Sequence, residues 1–150
     1  MGGFRTCLLL RVAYPSFKDR LGVLPIHRAA HRGLDGAVLA LAPKAFDLDC
    51  LGSTGKTPLL LTKLQENVST VKVLLAEGAD ANFRMNPRDW TALHFAAVGK
   101  KPGAIPALID AGADIEWRCT EGETPLRYAA RSGSCAAMRS LLKLGATVNA

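Results

Sequence analysis

Apolar residues recur along the chain in short clusters that are separated by turn-forming residues. Pairs of large apolar residues stand at Leu74-Leu75, Leu108-Ile109 and Leu141-Leu142. Pairs of small residues stand at Ala29-Ala30, Ala96-Ala97 and Ala129-Ala130. The small pairs let neighbouring helices approach closely, and the large pairs fill the space between two helix layers. The pattern therefore predicts thin, closely packed helices.

The clusters belong to a repeat whose four similar starts lie at positions 24, 57, 91 and 124, a spacing of 33 or 34 residues. The starts read Leu24-Pro25-Ile26-His27, Thr57-Pro58-Leu59-Leu60, Thr91-Ala92-Leu93-His94 and Thr124-Pro125-Leu126-Arg127. Threonine can cap a helix, and proline suits the first helical position. Gly78, Gly112 and Gly145 follow later in the second, third and fourth repeats, where we predict helix ends with left-handed backbone.

Turn-rich stretches at 52–55, 86–89 and 120–122 separate the repeats and predict hairpin tips. The Thr-Pro-Leu-His-like start, the Gly-Ala-Asp motif and the period together resemble the ankyrin repeat family. The resemblance implies an all-α solenoid of helix-turn-helix repeats with β-hairpin-like finger loops. It divides the chain into an N-terminal half repeat, which could act as a cap, and about four repeats. The half repeat covers residues 1–22, and the four repeats cover residues 23–55, 56–89, 90–122 and 123–150.

Composition is that of a folded domain, with 49% hydrophobic and 21% charged residues and a formal net charge of +6. The four cysteines have neither zinc-site nor disulfide-framework spacing, so we expect a reducing compartment inside the cell, cytoplasmic or nuclear. No apolar run approaches the ~20 residues that a membrane span needs.

Candidate chemistry is sparse. Residues 52–57 read Gly-Ser-Thr-Gly-Lys-Thr, but a phosphate-binding loop needs another glycine at position 50, where Cys50 stands. His27 and His31 lie four residues apart without an evident third metal ligand. No nucleophile has a plausible base and orienting acid. We therefore predict no catalytic residue, no cofactor and no metal, and we do not expect an enzyme.

The resemblance instead implies a partner-binding surface on a concave groove and on the fingers. Arginine and aromatic side chains there are the usual anchors of an interface. The predicted binding residues are Arg28, Arg32, Lys56, Leu61, Arg84, Arg88, Trp90, Phe95, Arg118, Tyr128 and Arg131. Leu61 and Phe95 are also compatible with packing between helices, and Trp90 with packing at the base of its finger.

The expected partner is another protein with an acidic and apolar segment, because the surface is basic and carries aromatic residues. Two alternatives stay open. A basic module could dock on nucleic acid, which we do not expect and which would show a steep salt dependence. The chain could also be a spacer within a larger protein. We expect it to be monomeric or part of a longer repeat array.

Overall fold

A computed structural model describes residues 18, 23–42, 47–62, 67–85, 87–99 and 102–148. These residues form eight helices in four pairs, and no strand occurs among them, which confirms the all-α class. The helices are α1 (Pro25–Arg32), α2 (Asp35–Leu41), α3 (Pro58–Leu61), α4 (Val68–Ala76), α5 (Ala92–Val98), α6 (Ile105–Asp110), α7 (Pro125–Arg131) and α8 (Cys135–Lys143). The predicted half repeat at 1–22 lies outside the described residues apart from Lys18.

Threonine precedes three of the four odd-numbered helices, where the sequence predicts a cap. The side chains of Thr57 and Thr124 accept hydrogen bonds from the backbone N–H of Leu60 and Arg127. At α5, Thr91 and His94 bond to each other instead. Leu24 precedes α1 and has no side chain that can cap. The first helix therefore begins without the cap that the other three have.

The predicted glycine helix ends are also confirmed. Gly78, Gly112 and Gly145 have φ values of 101°, 84° and 100°, which is left-handed backbone. A side chain with a Cβ is strained in this conformation. These glycines turn the chain out of the even-numbered helices and toward the next finger.

The helices form two layers. Each odd-numbered helix packs against the next odd-numbered helix, and the even-numbered helices pack together behind them. Leu74, Leu108 and Leu141 are fully buried between the layers, as expected for the leucine pairs. Ala96 and Ala97 are buried where α5 meets its neighbours. The second repeat lacks an alanine pair, and its first helix, α3, is only four residues long.

Between successive repeats the chain forms finger loops, each closed by a backbone hydrogen bond. The bonds run from Gly52 N–H to Lys56 O (2.9 Å), from Met85 N–H to Trp90 O (2.9 Å) and from Cys119 N–H to Glu123 O (3.1 Å). The second finger is one residue longer than the other two. It contains Asp89, whose φ of 53° is positive without being glycine.

A ladder of side-chain to backbone hydrogen bonds links the starts of successive fingers. The Asp49 carboxylate accepts from Asp80 N–H at 3.0 Å. The Asn82 carbonyl oxygen accepts from Asp114 N–H at 2.8 Å. Glu116 accepts from Thr147 N–H at 2.6 Å. Each rung joins one repeat to the next, so the register of the stack is held at its exposed edge as well as in its core.

Candidate partner-binding groove

Two buried histidines attach the fingers to the odd-numbered helices. His27 on α1 donates through Nε2 toward the carbonyl oxygens of Cys50 and Lys56, at 3.0 and 3.2 Å. His94 on α5 donates in the same way to the carbonyl oxygen of Glu123 at 3.2 Å. Because carbonyl oxygens only accept, Nε2 carries the proton in both rings. The fingers and the odd-numbered helices therefore form the two connected walls of one groove.

The two histidines differ at their other ring nitrogen. Nδ1 of His94 lies 3.0 Å from the Thr91 hydroxyl and accepts from Thr91 N–H at 3.3 Å. Nδ1 of His27 is buried without a hydrogen-bond partner among the described residues. Leu24 stands where Thr91 would be and offers no hydroxyl. Burial lowers the pKa of both rings, because it disfavours the charged form.

Aromatic rings fill the groove at the third and fourth repeats, a group we call the aromatic cluster: Trp90, His94, Phe95 and Tyr128. The Trp90 ring centroid lies 4.7 Å from that of Tyr128 and 5.0 Å from that of Phe95, both edge-to-face. Tyr128 is only 3% exposed. Tyr128 is buried because the neighbouring finger brings Trp90 over it, and its contact with a partner stays a prediction. Phe95 and Trp90 are half-buried.

Glu121, at the tip of the third finger, closes this cluster. Its carboxylate accepts from the Tyr128 hydroxyl at 2.7 Å. It also lies 3.7 Å from the Arg88 guanidinium and 3.6 Å from that of Arg131. The hydroxyl donor first, and then the two arginines, lower the pKa of Glu121. Burial and the bond to Glu121 raise the pKa of Tyr128 to about 12.

A cavity of about 340 Å³ opens in the groove at the first two repeats, and we call it the N-terminal pocket. It lies between α1, α3 and the first finger. The lining residues are Val23, His27, Arg28, His31, Arg32, Gly52, Ser53, Thr54 and Leu61. Three predicted binding residues, Arg28, Arg32 and Leu61, thus meet in one place. Among the residues that the structure describes, none of those lining the pocket is acidic.

The remaining predicted residues lie on the fingers and do not form one site. The Arg84 guanidinium stacks 4.0 Å above the Trp117 ring, and Trp117 Nε1 donates to Asp89 O at 3.0 Å. Arg118 makes a long bond of 3.4 Å to Gly122 O, within its own finger. Lys56 is half-buried at the base of the first finger. Arg84 and Arg118 are exposed and remain predicted partner contacts.

The sequence prediction missed Thr54 in the N-terminal pocket. A usable signal existed. Position 24 corresponds to 91 and 57 to 124, so Thr54 corresponds to Glu121 and Leu61 to Tyr128. Aligning the two halves in this way would have flagged every position at which their side chains differ in charge.

Stacked helix pairs with a finger-lined groove define the class of solenoid repeat proteins, whose extended concave surfaces bind partners. A family model described as ankyrin repeats, in three copies, matches residues 60–150. The chain belongs to the ankyrin repeat family. Ankyrin repeats are protein-interaction modules, which supports a general protein-binding role, and no catalytic family is indicated.

Curated relatives agree with this assignment. The human ankyrin repeat and SOCS box protein 16 is 32% identical over 86% of this chain. The mouse NF-kappa-B inhibitor delta is 35% identical over 75% of it, and the Drosophila melanogaster neurogenic locus Notch protein is 34% identical over 67%. The chain spans 30%, 36% and 4% of the lengths of these three proteins, respectively.

A membrane-spanning helix is not found in the part of the chain that the structure describes, since none of its helices is long and apolar enough to cross a bilayer.

Proposed function

We propose that this protein binds a partner protein in the groove between the fingers and the odd-numbered helices, without catalysis. One observation carries the proposal: basic and aromatic side chains lie along the groove at both ends, with Arg28 lining the N-terminal pocket and the Arg131 guanidinium 4.6 Å from the centre of the Tyr128 ring. Arginine and aromatic residues are the side chains most enriched at binding hot spots.

The rigidity of this wall favours binding. The histidine bonds tie the fingers to the helices, and the ladder at 49, 82 and 116 ties each repeat to the next. A surface that is already ordered loses little conformational entropy when a partner docks. An extended segment of the partner, acidic and apolar, would match the length and the charge of the groove.

The proposed place of action is inside the cell. Cys50, Cys119 and Cys135 are free thiols, which is the usual state of cysteines in a reducing compartment. The mouse relative named as an inhibitor of NF-kappa-B supports the same location.

Site-specific photo-crosslinking in native cell extract tests the groove. A photoreactive phenylalanine analogue replaces Phe95 in the groove or Leu39, an exposed residue of α2 in the other layer. We expect a discrete cross-linked partner from position 95 and none from position 39. Equal yields from both positions, or a product from position 39 alone, would refute groove binding.

The same products discriminate the main alternative. Nuclease treatment before analysis leaves a protein cross-link intact and removes one to nucleic acid. A nuclease-sensitive product from position 95 would favour docking on nucleic acid, as the net charge of +6 allows.

A further inference from the structure

The N-terminal pocket and the aromatic cluster lie beside the first and third fingers, which have similar backbones. The first and third fingers have matching bonds, Gly52 to Lys56 and Cys119 to Glu123. The glycines before their last residues, Gly55 and Gly122, have φ values of 68° and 73°. The two fingers can therefore be compared position by position, although α3 is shorter than its counterpart α7.

In the C-terminal copy, a carboxylate occupies the mouth of the groove. Glu121 reaches the Tyr128 hydroxyl and lies near the guanidinium groups of Arg88 and Arg131. Hydrogen bonds and nearby cations both favour an ionised carboxylate. In the C-terminal copy this place in the groove therefore holds an anion, with Tyr128, Arg88 and Arg131 around it.

In the N-terminal copy, the position of Glu121 is occupied by a residue without a carboxylate. Thr54 stands at the position of Glu121, and Leu61 stands at that of Tyr128. Arg28, His31 and Arg32 line the pocket, while Ser53 and Thr54 bring hydroxyl groups that can donate. One liquid water occupies about 30 Å³, so a pocket of about 340 Å³ has room for an acidic side chain and an apolar neighbour.

We propose that the N-terminal pocket binds a glutamate or aspartate side chain of the partner, in the place that Glu121 fills in the C-terminal copy. This rests on the proposed function and specifies it. The acidic residue of the partner lies over α1 and the first finger, and an adjacent apolar residue contacts Val23 and Leu61. Arg88 and Arg131 in the C-terminal copy already face Glu121. The acidic end of the partner's segment therefore binds at the first two repeats.

Fluorescence anisotropy with a labelled model peptide tests the pocket. The probe carries glutamates on both sides of a single leucine, and two analogues carry glutamine or phosphoserine instead. Thr54→Glu places an internal carboxylate in the pocket, and Ser69→Glu makes the same charge change at an exposed site on α4. Arg32→Glu reverses a pocket charge, and Arg139→Glu makes the same reversal on α8.

We expect Thr54→Glu and Arg32→Glu each to weaken binding of the glutamate peptide roughly tenfold at low salt. Their matched controls should change it less than about twofold, since distant surface charges are screened. The glutamine peptide should bind wild type no better than it binds Thr54→Glu.

Three results would overturn the pocket. They are no measurable binding of the glutamate peptide, equal effects of a variant and its control, and binding of the phosphoserine peptide alone. The last result would indicate a phosphate site. Far-ultraviolet circular dichroism of every variant shows whether it is folded. If the pocket variants do not change peptide binding but position 95 still cross-links a partner protein, the pocket proposal is rejected and groove binding is kept. If position 95 gives no cross-link, groove binding itself is rejected.

Discussion

The first and third repeats place the same histidine under the same finger, yet their surroundings differ. His94 has partners at both ring nitrogens and aromatic rings beside it. His27 has a cavity beside it, and its Nδ1 has no hydrogen-bond partner among the described residues. One backbone thus supports two states of the same site, one filled by the protein itself and one left open. The aromatic rings contribute to stability in the filled site, whereas the site with the cavity is the one that we propose binds the partner.

The largest expected difference lies between Tyr128 and its counterpart Leu61. Tyr128→Ala removes a buried ring that contacts Trp90, so we expect a loss of about 3 kcal/mol in the free energy of unfolding. Leu61 is half-buried beside the cavity, so Leu61→Ala should cost about 1 kcal/mol. Urea denaturation measures both losses. Equal losses would show that the cavity beside Leu61 is closed in solution.

The same variant tests whether Tyr128 itself contacts the partner, as the sequence predicts. If Tyr128 touched the partner directly, Tyr128→Ala would weaken binding with little change in stability. We expect Tyr128→Ala to lower stability more than it weakens binding. The side chain is buried and acts on the groove through Trp90 and Glu121.

Next in size is the pair His94→Ala and His27→Ala. Removing His94 leaves the Glu123 carbonyl and the Thr91 hydroxyl without their ring partners, so we expect a loss of about 2–3 kcal/mol. His27→Ala removes bonds to Cys50 O and Lys56 O but also removes an unpaired Nδ1, so its loss should be smaller by about 1 kcal/mol. Thermal unfolding should rank the two variants in this order, and the opposite ranking would contradict the comparison.

A smaller effect tests the cause of the difference. Leu24→Thr supplies a hydroxyl to Nδ1 of His27 and a cap to α1, gains of about 1 kcal/mol that the lost packing of Leu24 partly offsets. Thr91→Val in the third repeat should lose about 1–2 kcal/mol. Chemical denaturation of both variants should therefore show opposite signs. A destabilised Leu24→Thr would mean that apolar packing outweighs the missing cap.

The smallest effect is a change with pH. Both histidines have folded pKa values below the ordinary 6.5, so the unfolded chain takes up protons first on acidification. Their stabilising contribution is present above 6.5 and is lost as the pH falls below that value. We expect the free energy of unfolding to decrease from pH 7.5 to 5.5, as measured by urea titrations at each pH.

The histidine variants separate the two contributions to this pH dependence. Protonating His94 also breaks its bond from Thr91 N–H, so His94→Gln should flatten the pH profile more than His27→Gln. A flat wild-type profile would mean that neither ring is buried and neutral in solution.

The repeat pattern could be predicted from the sequence because it rests on local chemistry. Threonine before proline starts a helix, and glycine after a leucine pair ends one, whatever surrounds them. The filled and open sites could not be predicted in this way. Burial of Tyr128 depends on Trp90, which another finger supplies, and the pocket exists because Leu61 and Thr54 are smaller than Tyr128 and Glu121. Such differences arise only when distant segments meet.

The hydrogen-bonded ladder at the edge of the stack has a mechanical consequence. A tension applied along the stack acts on its core and on the hydrogen bonds at Asp49, Asn82 and Glu116. Along this exposed edge, the weakest of the three hydrogen bonds should break first. The amide rung at Asn82 does not titrate, whereas burial raises the pKa of Asp49, and its protonated form is a poorer acceptor for Asp80 N–H. When tension is applied at acidic pH, the first repeat should therefore separate from the stack before the others.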